Sequence, residues 1–287
     1  MSAELGVPLS VVCRATGAPR STIYHRRSQT DAARHPGPTP VVPDEVLANK
    51  IAEVITESPF AGEGHRKVRA RLRREHQIVV GKNRVLRLMR EQGLLAPQRA
   101  RRRRTPREHN GTITTTAPNL RWGTDATMAW TRDGGWVWVF ILIDHYSDEA
   151  WAHVAKVGNR FAAIQPVYDA VIDRFGSLSP DIARGIKLRH DWGSQYRSGH
   201  FQGSLTWLGI QDDASYVGEP ECNGVAERFI RTLKEQCLWA HLCNNIDDLR
   251  DAVATFIELY NNEWLIERLG HRTPRETFID ATAKKAA

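Results

Sequence analysis

The sequence predicts an α/β body, a mixed sheet with helices on both sides, preceded by an all-α and strongly basic N-terminal region. Three observations carry this reading. After Pro118 the pattern runs three strands, a helix, and then strands alternating with helices, which builds a layered sheet. Before Pro118 helical periods are separated by proline- and glycine-rich joints. The charge divides at the same place: 22 Lys and Arg stand against 10 Asp and Glu up to Pro118, and 18 against 23 after it, within a net charge of +7. All nine tryptophans follow Pro118, so the large core lies there. A basic arm on a mildly acidic body suits a polyanion-binding protein.

At 287 residues the chain suits one large domain and a smaller one. No run of 18 apolar residues and no signal-peptide pattern occurs, so the expectation is a soluble, cytoplasmic protein with no membrane partner. Cys13, Cys222, Cys237 and Cys243 show no CxxC and no His–Cys zinc spacing, which reads as thiols in a reducing compartment.

Residues 8–17 and 18–27 read as helix, glycine turn, helix. Pro19 stands near the first position of the second segment, which presents Ser21, Thr22, Tyr24, Arg26 and Arg27. That is helix-turn-helix logic, so residues 1–30 are expected to meet DNA through Ser21, Thr22, Tyr24 and Arg26. Residues 44–96 are expected to form a basic three-helix DNA-binding domain. Val46, Leu47, Ile51, Val54 and Ile55 mark its first helix, over residues 44–57, and Pro59-Phe-Ala-Gly-Glu-Gly64 breaks it. Two basic helices follow over 65–76 and 82–92, with Val68 and Leu72 facing Val85, Leu86, Leu88 and Met89. His65 and His76 read as surface residues. In the linker over 97–118, Arg101, Arg102, Arg103 and Arg104 would contact nucleic-acid backbone without reading sequence.

Residues 119–280 are expected to form the body, with a C-terminal helix. A strand holds Leu120-Arg-Trp-Gly-Thr-Asp125. Asp133-Gly134-Gly135 supplies a hairpin turn, and Trp136 to Asp144 is a mostly apolar run that reads as a strand buried on both faces. A third strand spans 151–157. Asn159 caps a helix that Gly176 ends, with Pro166 inside it. A short strand ends at Asp191, a helix follows over 198–208, and a strand over 210–214. Gly218, Pro220 and Gly224 mark a loop before a helix that Asn223 is expected to cap. Ala226, Phe229, Ile230, Leu233 and Cys237 give that helix its buried face; Glu227, Arg231 and Lys234 lie on a second stripe. Asn245 caps the next helix, and the tail from Ala281 is expected to fray. Asp144 reads as a turn residue, and Asp148, Asp212 and Asp213 as solvated.

Asp125 is the anomaly. A carboxylate inside a strand is unfavourable unless a charge meets it. Together with Asp191 and Glu227 it offers hard oxygen ligands from three separate elements, the donor set for divalent cations such as Mg²⁺. Sixty-five residues separate Asp125 from Asp191, and thirty-five separate Asp191 from Glu227.

With that spacing the chain resembles the D,D-35-E transposases and retroviral integrases, and more closely the second-reading-frame (OrfB-type) transposases of the bacterial IS-three family. The matching pieces stand in order from Trp122 to Pro274: Trp122-Gly-Thr-Asp125, His190-Asp191-Trp-Gly-Ser-Gln-Tyr196, Asn223-Gly-Val-Ala-Glu227-Arg-Phe-Ile-Arg-Thr-Leu-Lys234, and Tyr260-Asn-Asn-Glu-Trp264 through Leu269-Gly-His-Arg-Thr-Pro274. Arg189-His190-Asp191 departs from the more usual His-Ser-Asp of that family. The resemblance implies an RNase H-like core with a mixed five-stranded sheet. It implies that Asp125, Asp191 and Glu227 are catalytic and hold Mg²⁺ (or Mn²⁺), two ions in all, for DNA strand cleavage and strand transfer at insertion-sequence ends. Arg231 and Lys234 would hold DNA beside them. It further implies a homo-oligomer on DNA, a first-frame DNA-binding protein as partner, and a nucleoid-associated location in a bacterial cytoplasm. Two rival readings share parts of the pattern: a DNA-binding regulator with an inactive core, and a metal-dependent nuclease that does not join DNA.

Overall fold

The computed structural model describes residues 8–17, 19, 21, 41–97, 115–214 and 223–286. The chain divides into two compact units, Met1–Pro43 and Asp44–Ala287. In the first, helix α1 (Leu9–Thr16) ends at Gly17, whose φ of 66° is left-handed, as the glycine turn requires. Ser21 is exposed. Thr22, Tyr24, Arg26 and the linker residues Arg101, Arg102, Arg103 and Arg104 lie outside the described residues.

The second unit opens with helices α2 (Asp44–Glu57), α3 (His65–Glu75) and α4 (Lys82–Glu91). Leu47, Ile51, Val54, Val68, Leu72, Val85, Leu88 and Met89 are buried between them, whereas Val46, expected in the same stripe, is exposed. The α2–α3 loop carries the helices onto the body. Phe60 packs edge-on against Trp264 at 4.8 Å, and Gln236 brackets Ala61 through both its backbone N–H and its carbonyl, each at 3.0 Å. Arg71 is buried, with Nε donating to Glu63 at 2.6 Å and Nη2 to the Glu263 carbonyl at 3.4 Å.

The body contains β1 (Arg121–Thr131), β2 (Gly135–Asp144), β3 (Ala150–Ala155), α5 (Arg160–Phe175), β4 (Lys187–His190), α6 (Gly199–Leu208) and β5 (Gln211–Ala214). Then come α7 (Gly224–Leu233), α8 (Ile246–Glu263) and α9 (Pro274–Ala286). The five strands form one sheet in the order β3-β2-β1-β4-β5. β1–β2 and β2–β3 are antiparallel; β1–β4 and β4–β5 are parallel. This mixed sheet with helices on both faces is the RNase H-like arrangement.

β2 explains why both faces are covered. Phe140 and Leu142 enter a core with Ala163, Val167, Phe201 and Leu205 of α5 and α6. Val139, Ile141 and Ile143 enter the opposite core, with Phe229, Leu233, Val253 and Phe256 of α7 and α8. Alternate residues point to opposite faces, so an unbroken apolar run fills both. The caps at Asn159 and Asn245 form as expected, each side chain accepting from two backbone N–H groups of the first turn. Among the described residues no helix is long and apolar enough to cross a membrane.

Two acids, Asp148 and Asp213, differ from expectation, whereas Asp212 is exposed as expected. Asp144 does organise a turn, with Oδ1 accepting from the N–H groups of Tyr146 and Ser147 and Oδ2 from that of Asn119. Asp148, however, is buried against Arg268 at 2.8 Å rather than solvated. Asp213 meets Arg189 at 2.9 Å across the β4–β5 pair, and Asp212 meets His190 Nε2 at 2.5 Å. These pairs account for the Arg189-His190 departure: both side chains are matched by acids on the neighbouring strand. The tail does not fray at Ala281, since α9 continues to Ala286.

Candidate active site

The site is built at the end of the β1–β4 pair. Arg121, Trp122 and Gly123 pair in parallel with Lys187, Leu188 and Arg189. Asp125 lies two residues beyond the last pair on β1, and Asp191 two residues beyond it on the other chain segment. β1 continues past this point because β2 supports it, with Asp125 opposite Ile141. β4 stops, and the chain turns through Trp192 and Gly193, where the Gly193 N–H donates to Asp191 Oδ1 at 3.0 Å.

Asp125 Oδ1 accepts from the Ala126 N–H at 2.7 Å. Burial pushes the Asp125 carboxyl up to about 6, and the negative charges of Asp191 and Glu227 push in the same direction. The Ala126 N–H and the Lys234 ammonium oppose this shift. The three carboxylates predicted from the sequence therefore act on one another in the fold. Asp191 and Glu227 are exposed, and Asp125 is half-buried.

Glu227 sits in the first turn of α7. Asn223 at the start of that helix does not cap it, contrary to expectation. Its Nδ2 donates instead to the Thr124 carbonyl at 3.0 Å, next to Asp125 on β1. The side chain that would have capped the helix ties it to the sheet. An Asn-Gly pair before an apolar period reads equally as a cap or a turn, so the sequence offers no signal for this role. The helix also changes form after Leu233, where Lys234–Leu238 make a π-helical turn. Such turns are frequent at functional sites and alter the side-chain direction beyond them. Lys234 stands at this junction, half-buried and within electrostatic reach of Asp125, while Arg231 is exposed.

Two buried side chains that sequence reasoning passed over support the site. His145 packs on Gly123: a Cβ there would come within 2.7 Å of His145 Nε2 and 2.9 Å of Asn223 Oδ1. Gly123 is thus glycine because two side chains close over it. Tyr196, fully buried, stacks on His190 at 5.4 Å, and burial pushes its hydroxyl far above the ordinary range.

The donor atoms of Asp125, Asp191 and Glu227 are spread wider than one tight ligand cluster. Among the described residues, the His, Cys, Asp or Glu trio whose ligand atoms all lie within 4.8 Å is Glu53, Glu57 and His76, on α2 and just past α3. There Lys50 already holds Glu53 at 2.7 Å.

The HTH-like domain family matches residues 43–103, and the integrase core domain family matches residues 208–274. The chain is 28% identical over 283 residues to the putative transposase InsK for insertion sequence element IS150 of Escherichia coli (strain K12), covering 94% of this chain and 93% of that protein. It is 29% identical over 286 residues to transposase InsD for insertion element IS2 of Escherichia coli, covering 94% and 91%. Among solved structures it is similar to a chain of a simian T-cell lymphotropic virus intasome complex, at 18% identity and a TM-score of 0.49, over 75% of this chain and 70% of that one. The integrase core match contains Asn223, Glu227 and Lys234; the HTH-like match covers α2 to α4 and extends into the arginine-rich linker.

Proposed function

We propose that this chain, related over nearly its whole length to insertion-sequence transposases, is a DNA transposase that cleaves and joins DNA strands at the ends of an insertion sequence. One observation carries the reading: three carboxylates converge from β1, the end of β4 and the start of α7, and the most buried of them is held near pH 6 by burial and by the other two. Such an arrangement is costly without a counter-charge, and Lys234 supplies only part of one. A hard divalent cation supplies the rest, and carboxylate oxygens are the donors it takes. The donor set therefore fits Mg²⁺ or Mn²⁺, and two such ions are what phosphoryl-transfer sites of this donor type employ.

Asp125, Asp191 and Glu227 would hold the ions. Such ions lower the pKa of an attacking water or hydroxyl and stabilise the leaving oxygen. The protein's share is positional. The β1–β4 register brings Asp125 and Asp191 to the same end of the strand pair, and the Asn223–Thr124 hydrogen bond ties the start of the Glu227 helix to β1. Lys234 and Arg231, on the Glu227 side of α7, would bind DNA phosphates beside the reacting group. In the first step a water oxygen bonds to the phosphorus at the element's end, and the 3′ oxygen leaves with a proton. In the second, that 3′-hydroxyl attacks a phosphodiester of the target, and a new 3′ oxygen departs. No covalent bond to the protein is required.

Residues 44–96 would form the helical DNA-binding part, with residues 1–30 and Arg101 to Arg104 adding further contacts to DNA. The chain would act as a homo-oligomer that joins two ends, with a first-frame DNA-binding protein as partner, in the bacterial cytoplasm at the nucleoid.

The test is a gel assay of labelled duplex carrying the element's ends, with Mg²⁺ or Mn²⁺. Wild type should nick and join, while Asp191→Asn and Glu227→Gln should bind DNA and yield at least about 10³-fold less product. Metal-dependent cleavage retained by Glu227→Gln overturns the site. Nicking without joined products favours a nuclease. Tight binding without any cutting, even with the first-frame protein added, favours a regulator.

A further inference from the structure

The arginine-bearing face of α3 and the turn in the Leu269-Gly-His-Arg-Thr-Pro274 motif enclose a groove that the catalytic reading leaves without a role. We propose that this groove seats the sugar-phosphate backbone of duplex DNA, through Arg69 and Arg73; the assignment rests on the DNA-acting function argued above.

The groove has a volume of about 350 Å³ and is lined by Arg66, Arg69, Arg73, Arg74, His271 and Arg272. Positions 66, 69 and 73 recur at three- and four-residue steps, so they share one face of α3. From 66 to 73 the helix rises about 10 Å. That is the axial rise of about three nucleotides of one strand, at about 3.4 Å each.

The opposite wall is a tight turn. Gly270 and His271 both have left-handed φ, 72° and 59°, and the His271 N–H donates to the Ile266 carbonyl at 2.9 Å. Histidine is among the few residues enriched in that region. Arg74 Nη1 donates to the His271 carbonyl at 3.3 Å, which joins the helix to the turn.

The carboxylates around the groove are already matched. Glu267 pairs with Arg66 at 2.6 Å, Asp280 with Arg272 at 2.7 Å, and Glu276 with Arg74. These pairs pin three guanidinium groups at the rim. Arg69 commits its Nε to the Val80 carbonyl at 2.8 Å, and Arg73 makes no hydrogen bond or ion pair among the described residues. Both are exposed. Two guanidinium groups therefore face outward with donors to spare, on a surface whose acids are neutralised. Planar guanidinium forks match phosphate oxygens, and an isolated arginine row attracts a polyanion rather than a single carboxylate. Duplex DNA is favoured as that polyanion because α3 lies inside the HTH-like match.

The experiment compares wild type, Arg69→Ala/Arg73→Ala and Arg69→Lys/Arg73→Lys as full chains. Binding of a labelled duplex is followed by anisotropy across a salt series, and folding is checked by thermal melting. The double alanine variant should bind about tenfold or more weakly on any sequence, and its log K against log salt slope should fall by about two, at about 0.9 per phosphate contact. The lysine variant should keep the slope. A wild type that binds and cuts DNA beside an alanine variant with an unchanged slope overturns the groove and leaves the transposase reading standing. A wild type that binds no duplex overturns both. A slope change with single-stranded RNA and none with duplex DNA overturns the duplex assignment.

Discussion

Gly123 and Arg189 form the last backbone pair of the parallel β1–β4 ladder, and Asp125 and Asp191 each follow two residues later, Asp125 still on β1 and Asp191 just past the end of β4. The register therefore delivers both carboxylates to the same end of the strand pair, where the charge of Asp191 acts on Asp125. Glu227 then needs only to be delivered from α7. The fold maintains a charge conflict at one end of its sheet.

The first prediction concerns Asp125. Its carboxyl is raised from 3.8 to about 6, chiefly by burial. Between those two pH values the folded protein binds more protons than the unfolded chain, so this group costs stability as pH rises through the window, with the full cost above about pH 6. Asp125→Asn should therefore raise the melting temperature of the metal-free protein at pH 8, by up to about 3 kcal/mol in stability, and by almost nothing at pH 3.5. Adding Mg²⁺ at pH 8 should stabilise wild type more than the variant. Equal melting of the two at pH 8 would show that the carboxylate is not under strain.

Gly123 carries the second. A methyl group there meets His145 Nε2 at 2.7 Å and Asn223 Oδ1 at 2.9 Å. Gly123→Ala should destabilise the protein by about 1–3 kcal/mol, as overpacking does, and should lower the cleavage rate by displacing Asn223 from Thr124. His145→Ala added to it should recover part of the stability. Asn223→Ala should lower the rate while leaving duplex binding within about twofold, because it acts through Glu227. Chemical denaturation and single-turnover cleavage read both effects.

Much of this was legible in the sequence because it rests on local signals. The run from Trp136 to Asp144 reads as a strand buried on both faces, and from Val139 onward it is one, while Trp136 is exposed and Trp138 half-buried. Asn159, Gly176 and Asn245 bracket their helices with the expected hydrogen bonds and left-handed φ. The carboxylates could be picked out by type and spacing. What could not be read depends on long-range partners. Asp148 and Asp213 looked solvated because their arginines, Arg268 and Arg189, are distant in sequence. Asn223 looked like a cap because Thr124 lies 99 residues away. The π-helical turn at Lys234 has no signature in the apolar period, which runs on unchanged through Cys237.

The attachment of the helical region to the body gives a third prediction. Arg71 and Glu63 have side chains 7% and 2% exposed and meet at 2.6 Å. Breaking a buried pair leaves one charge without its partner, at a cost of about 3–5 kcal/mol. Glu63→Ala should show that loss in denaturant unfolding, whereas Glu63→Leu with Arg71→Met should restore most of it. A single variant with wild-type stability would mean that Arg71 finds a new partner, and Glu75, already at 3.0 Å, is the side chain to remove next.

His145 carries the last. The ring is buried, and neither nitrogen has a hydrogen-bond partner among the described residues. Burial, reinforced by the nearby cations of Arg121 and Arg189, lowers its pKa to about 4 from the ordinary 6.5. Between those values the unfolded chain binds more protons than the folded one, so the stability it contributes is complete above about pH 6.5 and is lost as pH falls toward 4. The loss amounts to about 3 kcal/mol across that window. Asp125 acts with the opposite sign over nearly the same range, so the clean quantity is the difference between variants. Stability of wild type minus that of His145→Gln, measured by urea unfolding from pH 4 to pH 8, should rise with pH and level off near pH 6.5. A flat difference would mean that the ring is already solvated or partnered, and Gly123 would then owe its lack of a side chain to Asn223.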